Sequence, residues 1–232
     1  MSPRAVRVLG GPLLAALVRR VLVGRQVGGV SGGRTLTSAD VALILRRLWV
    51  HFDDLAPGIP WEPTFGSRMN VALAAATVAA HRALREAGIP APEAGDLIRE
   101  IAWRVYRTWA RLPGAIARLV TRHPVKRLSV ATGLFRRFPF NPPGYRMEDV
   151  PEAGAVAFDV YRCPVADYFR AQGLGELCVR TWCALDAPLA GMWGGALERQ
   201  GTLAGGAARC DFRWFPLPWK GTAVTGERGR SA

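Results

Sequence analysis

Apolar side chains change their spacing midway along this chain, and the change limits which folds are open to it. Up to Val120 they recur at helical intervals; from Tyr145 they alternate, as strands require. The first strong helix is announced by Thr37-Ser38-Ala39-Asp40, a hydroxyl cap followed by an acid in the first turn. Val41, Ile44, Leu45, Leu48 and Phe52 then share one face, and Pro57-Gly58 ends the run. A second helix is predicted over 67–87, where Ala72 to Ala76, Ala79 and Ala80 form a small-residue face for close packing, with Gly88 and Pro90 as the stop. A third starts at Pro92-Glu93 and carries Leu97, Ile101, Val105, Tyr106 and Trp109; Pro113 breaks or kinks it before Ile116, Leu119 and Val120.

After His123-Pro124 the residues Phe135, Phe138 and Phe140 lie among Pro139, Pro142 and Pro143, which reads as an aromatic, Pro-rich connection. Strand signals come next. Tyr145, Met147 and Asp149-Val150 alternate loosely, and 155–161 alternates well, with Val156, Phe158 and Val160 on one face. Pro164 then suits the first turn of a helix carrying Val165, Tyr168 and Phe169, and 176–185 is a further helical piece. Residues 197–203 and 208–215 read as a hairpin across Ala204-Gly205-Gly206. The order implies an α+β fold: a helical N-terminal half packed on an antiparallel sheet of about four strands, with a helical insertion. Three regions are expected: an Arg-rich, flexible segment over 1–36, a single domain over 37–219, and a disordered tail over 220–232.

Charge narrows the function. Residues 1–140 hold 21 basic and 8 acidic side chains, whereas the remainder holds 10 of each. Such an excess suits nucleic acid or an anionic membrane surface. Yet 29 of the 31 basic residues are Arg, spaced as a solvated helix face, with no zinc-finger, homeodomain or aromatic RNA-binding pattern beside them. No nucleic-acid partner is expected. The apolar run before Arg19-Arg20 is too short for a membrane span and lacks a cleavage site, so a short amphipathic helix and a cytoplasmic location are the readings. Gly28-Gly-Val-Ser-Gly-Gly33 has no strand before it and reads as a linker rather than a phosphate loop. His51 with Asp53 and Asp54 reads as a polar helix end, and His81 as a partly exposed polar residue.

All four cysteines, Cys163, Cys178, Cys183 and Cys210, crowd into the last third. Too few for a disulfide framework, they read as free thiols. Cys163 precedes a helix start, whose positive end lowers a thiol pKa. Cys183 and Asp186, three apart, share a helix face, where a thiol and a carboxyl can pass a proton between them. Asp186 also suits capping of a following helix that has Pro188 in its first turn. Cys210 alternates with Phe212 and Trp214 on a face that its apolar neighbours mark as buried. Cys178 lies on another side of its helix and reads as core packing. Three thiols and a carboxylate match zinc by ligand type, but no Cys-x-x-Cys pair or nearby His supports it. No cofactor is expected, and zinc is the lesser reading.

Taken together, Cys163-Pro164, Cys183-Ala-Leu-Asp186, Arg199-Gln-Gly-Thr202-Leu-Ala-Gly-Gly206 and Cys210-Asp211-Phe212 resemble the L-2-amino-thiazoline-4-carboxylic acid hydrolase family. The resemblance covers roughly residues 70–216 and is sharp over 158–215. It implies a small-molecule substrate and hydrolytic opening of a cyclic amidine-like C=N ring, such as 2-amino-thiazoline-4-carboxylate to N-carbamoyl-cysteine on a bacterial route to cysteine. On that basis Cys163 or Cys183 is the expected nucleophile, Asp186 the proton relay and Cys210 a pocket thiol. Thr202 belongs to the substrate-binding run, and Gly205 and Gly206 offer backbone N–H groups to an anion. The alternative is a non-catalytic binding or thiol-redox module of the same fold in a specialised pathway. Nothing in the sequence sets the oligomeric state.

Overall fold

The structure is a computed structural model and describes residues 11–28 and 33–218. The expected tail over 220–232 and most of the Gly-rich linker lie outside the described residues. Helix α1 (Gly11–Leu22) is followed by a two-residue ladder, β1 (Gln26–Val27) with β2 (Arg34–Thr35). Then come α2 (Ser38–Leu55), α3 (Phe65–Glu86), α4 (Ala91–Val120) and α5 (Pro124–Arg137). The sheet strands β3 (Arg146–Asp149) and β4 (Val156–Arg162) lead into α6 (Pro164–Ala171), α7 (Gly175–Thr181) and α8 (Asp186–Met192), and β5 (Gly195–Glu198) and β6 (Cys210–Pro216) close the sheet. This is the α+β order that the change of spacing implies.

The helical layer forms where its caps and faces dictate. At the start of α2, Asp40 N–H donates to Thr37 Oγ1 at 3.2 Å while the Asp40 carboxylate accepts the Thr37 N–H at 2.8 Å. Two amides without helical partners are thereby satisfied. Helix α3 repeats the device with Thr64 and Ser67. Its Ala72, Ala75, Ala76 and Ala79 are buried, and the missing side-chain bulk lets α2 run close alongside. Helix α4 is the spine: it meets α1, α3, α5, α7 and α8. Within the described part of the N-terminal segment, Val18 and Leu22 of α1 join the core.

Three expectations change. Pro113 does not break its helix; α4 runs unbroken through it. Gly114, next along, is instead required by a close approach, since a Cβ there would stand 2.8 Å from Trp193 Cδ1. The Pro-rich connection after His123 contains a full helix, α5. Pro124 occupies its first turn, His123 Nδ1 accepts the Lys126 N–H at 3.4 Å, and Leu128, Ala131, Thr132 and Phe135 form its buried face. The Phe and Pro content that reads as a loop belongs to the last turn of α5 and to the segment between α5 and β3. Last, the expected 197–203 strand stops at Glu198. Residues 199–209 leave the sheet and make a 3-10 turn over Leu203–Gly205 before β6 begins.

The sheet order is β3-β4-β6-β5, all neighbours antiparallel. The central pair matches Val156 to Trp214, Phe158 to Phe212 and Val160 to Cys210. These six share one face because alternate residues on paired strands point the same way. That face carries stacked rings, Phe158 on Phe212 with centroids 5.0 Å apart and Trp193 on Trp214 at 5.7 Å. On β4 between them, Asp159 is 5 % exposed and is bonded by Arg213 and Arg209, each at 2.9 Å, so the buried charge is paired.

Candidate active site

Between the aromatic sheet face and helices α4, α5, α7 and α8 lies a cavity of about 120 Å³. Cys163, Cys183, Asp186 and Cys210 all line it. Three separate elements bring them there. Cys163 stands between the end of β4 and Pro164 at the start of α6. The strand end beside it is held by Arg162, whose Nη2 forks onto the buried Glu62 carboxylate at 2.8 and 3.0 Å. Cys183 opens a 3-10 turn, Cys183–Leu185, that runs directly into α8, where Asp186 is the first residue and Pro188 lies within the first turn. Cys210 starts β6, and its sulfur accepts the Leu203 N–H at 3.2 Å.

The environment separates the thiols. Burial pushes the Cys163 thiol well up, and the amides of Ala166 and Val165 only partly offset it. The expected lowering by the helix start is therefore overturned, because loss of hydration outweighs two amide dipoles in so enclosed a place. Cys210 is also raised by burial, to about 11, despite the Leu203 amide. Cys183 alone moves down. A hydrogen bond from Cys178 is the largest cause, helped by the Arg199 charge and a hydrogen bond from Thr202 against burial and the nearby Asp186. Cys178 correspondingly holds its proton, raised by the same bond and by burial. Cys178 thus does more than pack. The helix α7 ends at Thr181 and the tighter turn begins at Cys183, so position 183 swings back beside 178, which five residues of continuous helix would not allow.

Asp186 is pushed up by burial, with Arg199 opposing. Arg199 Nη1 donates to its Oδ2 at 2.7 Å, and Nη2 donates to the Cys183 carbonyl at 2.9 Å. The guanidinium lies over the Phe212 ring, 5.0 Å from its centre. One arginine therefore joins the turn carrying the thiol to the helix carrying the carboxyl. Asp211 supports this from behind, accepting the Gln200 and Gly201 amides at about 3.0 and 2.9 Å and fixing the chain just past Arg199. Tyr106 and Tyr145, with Thr132 and Arg136, add to the polar part of the wall. Both tyrosine hydroxyls are held well above their usual range by burial, with Asp186 the next cause for Tyr106 and Cys163 for Tyr145.

The Thr202, Gly205 and Gly206 run sits differently. None of the three lines the cavity. Thr202 Oγ1 accepts the Gly205 N–H at 3.0 Å and also reaches Cys183, whereas the exposed Gly206 turns the chain at φ 93° and its N–H bonds the Leu203 carbonyl. The two glycine amides are taken up by the turn itself. Among the described residues no three His, Cys, Asp or Glu side chains are grouped to hold a metal ion. No helix among them is long and apolar enough to cross a membrane.

Chemically, the cavity combines a thiol with lowered pKa, a carboxyl with raised pKa and an apolar aromatic wall. A nucleophile and an acid with opposed shifts suit addition to an electrophilic carbon and then protonation of the group that leaves. A family model described as L-2-amino-thiazoline-4-carboxylic acid hydrolase matches residues 69–214. Comparison with the curated proteins and with the solved structures gives no match.

Proposed function

The chain belongs to the L-2-amino-thiazoline-4-carboxylic acid hydrolase family, and on that premise we propose that it opens a small cyclic amidine ring with Cys183 as nucleophile and Asp186 as proton relay. Family membership makes it a hydrolase of carbon–nitrogen bonds outside peptides, with a small-molecule substrate and a thiazoline ring as the named target. The observation that carries the finer reading is the opposed pair on one turn: Cys183 pulled down and Asp186 pushed up, tied together by Arg199.

With 2-amino-thiazoline-4-carboxylate the Cys183 thiolate adds to C2, the carbon of the C=N bond. Protonated Asp186 gives its proton to the ring sulfur as the C2–S bond breaks, which leaves an S-linked isothiourea on Cys183 and a free substrate thiol. Water then adds to the same carbon, losing a proton to the Asp186 carboxylate. The remaining proton of the water passes to the former ring nitrogen as collapse expels the Cys183 thiolate and leaves a C=O, so the product is N-carbamoyl-cysteine, Asp186 is protonated again and one water is consumed. Cys178 holds its proton against Cys183 and favours the thiolate. Cys163 and Cys210, both raised, act as neutral walls of the pocket. Thr202 tunes Cys183, and Gly205 and Gly206 shape the turn that presents Thr202.

The test is direct. Purified protein is incubated with 2-amino-thiazoline-4-carboxylate and a panel of cyclic amidines, and ring opening is tracked by mass spectrometry. Turnover is expected to vanish in Cys183→Ala and to fall about 100- to 10,000-fold in Asp186→Asn, the usual span for loss of a general acid. Full activity in folded Cys183→Ala would remove the nucleophile assignment. The Cys178–Cys183 bond favours one second reading, a reversible thiol pair; it requires peroxide to consume both thiols in a protein that opens no ring.

A further inference from the structure

A second and larger cavity lies behind the first. It measures about 380 Å³ against about 120 Å³, and Tyr106, Phe135, Trp182 and Leu185 wall both. The two share a partition. Helices α1 to α5 and Phe138-Pro139 supply the rest of the wall, through residues such as Leu14, Leu48, Leu73, Ile98 and Leu134.

Nothing in this chamber suits water or a charged ligand. Besides Tyr106, its polar side chains are Asn70 and Thr77, and both are engaged. Asn70 Nδ2 donates to the Tyr145 hydroxyl at 2.9 Å. Thr77 Oγ1 donates to the Leu73 carbonyl at 2.9 Å and accepts the Trp182 indole N–H at 3.2 Å. Among the described residues no charged side chain lines it. A cavity without polar partners stays dry and takes up apolar matter. At its rim stand Trp109, Leu112 and Phe138, exposed by 53 %, 66 % and 40 %. Large apolar residues gathered at an opening mark where an apolar ligand enters.

We propose that this chamber receives an apolar substituent of the substrate, an alkyl or aryl group carried by the C=N ring, so that the ring meets Cys183 while its tail passes between the side chains of Tyr106 and Trp182 that line both cavities. The assignment rests on the hydrolase reading above. Three observations carry it: the shared partition with the reacting cavity, the uncharged lining, and the apolar rim. The first cavity alone has room for little more than the ring. The second matches the volume of a medium-length chain or an aryl group.

The experiment uses the full chain and two series of equal chain lengths. In one, 1-alkanols from butanol to decanol are bound calorimetrically. In the other, 2-alkyl-thiazoline-4-carboxylates are traced to the N-acyl-cysteine by mass spectrometry. Affinity and kcat/KM are expected to rise up to about fourfold per methylene until the chamber is full. Ala102→Phe on α4 and Ala80→Phe on α3 fill the chamber from two walls, so a folding failure at one leaves the other to decide. Each filler is expected to abolish the chain-length dependence and to leave turnover of 2-amino-thiazoline-4-carboxylate unchanged. A flat dependence in the wild-type protein overturns the proposal. So does a dependence that survives the fillers, which assigns the alkanols to another surface, or one confined to alkanols while alkyl rings gain nothing, which makes the chamber a site for a free apolar ligand. Chain-length-dependent alkanol binding with no ring opened at any length sinks the hydrolase reading while leaving the chamber an apolar site.

Discussion

Arg199 governs the site although it belongs to neither the thiols nor the carboxyl. Its charge lowers both Cys183 and Asp186, so its removal raises both pKa values. If turnover needs ionised Cys183 and protonated Asp186, the two limbs of the kcat/KM profile report the pKa values of this pair. Arg199→Gln is expected to move both limbs to higher pH; limbs that stay in place would detach Arg199 from this role. The sequence does not single this residue out. With 29 arginines in the chain, one buried partner is indistinguishable from the solvated ones until its fold neighbours are known. A helix start, a three-residue spacing and strand alternation single out Cys163, Cys183, Asp186 and Cys210 in the sequence, but that they line one cavity is seen only in the fold. Cys178 escapes, since its contact with Cys183 depends on where α7 gives way to a tighter turn.

Elements respond to their ends. The Thr37–Asp40 box at the start of α2 is local and exposed, and both of its residues are readable in the sequence. Thr37→Ala is expected to cost about 1 kcal/mol in urea unfolding, with the slope unchanged. Asp40 adds a pH signature. Its carboxyl is lowered from 3.8 to about 2, chiefly by the Thr37 backbone amide. Because the folded state favours ionised Asp40, this stabilisation is complete above the unfolded value of 3.8 and is lost as pH falls through about 2. Asp40→Asn should flatten that part of the acid-side stability curve, measured by urea midpoints across the range from about pH 2 to about pH 5. Helix α5 is illegible for the opposite reason. Its signals are a proline, which also starts loops, and phenylalanines shared with the Pro-rich stretch beyond it. Pro113 misleads similarly, because α4 is held by neighbours on several sides and tolerates the lost rung.

At the scale of the molecule, buried residues from Val18 in α1 to Trp214 in β6 belong to one core cluster. A core without a division should unfold as a unit. Far-ultraviolet dichroism, dominated by the helices, and the fluorescence of the eight tryptophans spread along the chain are expected to give coincident denaturation curves. Separated midpoints would make the helical layer an independent unit. The layer order is readable from the changes in spacing, but the chamber behind the site is not. A cavity is a place where packing stops, and it arises from how several helices approach, not from any residue in them.

The pairing of β4 with β6 joins segments about fifty residues apart, with three helices between them. During synthesis, which delivers the chain from its N-terminus, the helical half and Cys163 emerge well before Cys210. The wall that closes the cavity is therefore the last piece to arrive. A nascent chain at the ribosome holds thiols but no pocket, so catalytic competence and completion of the sheet begin together.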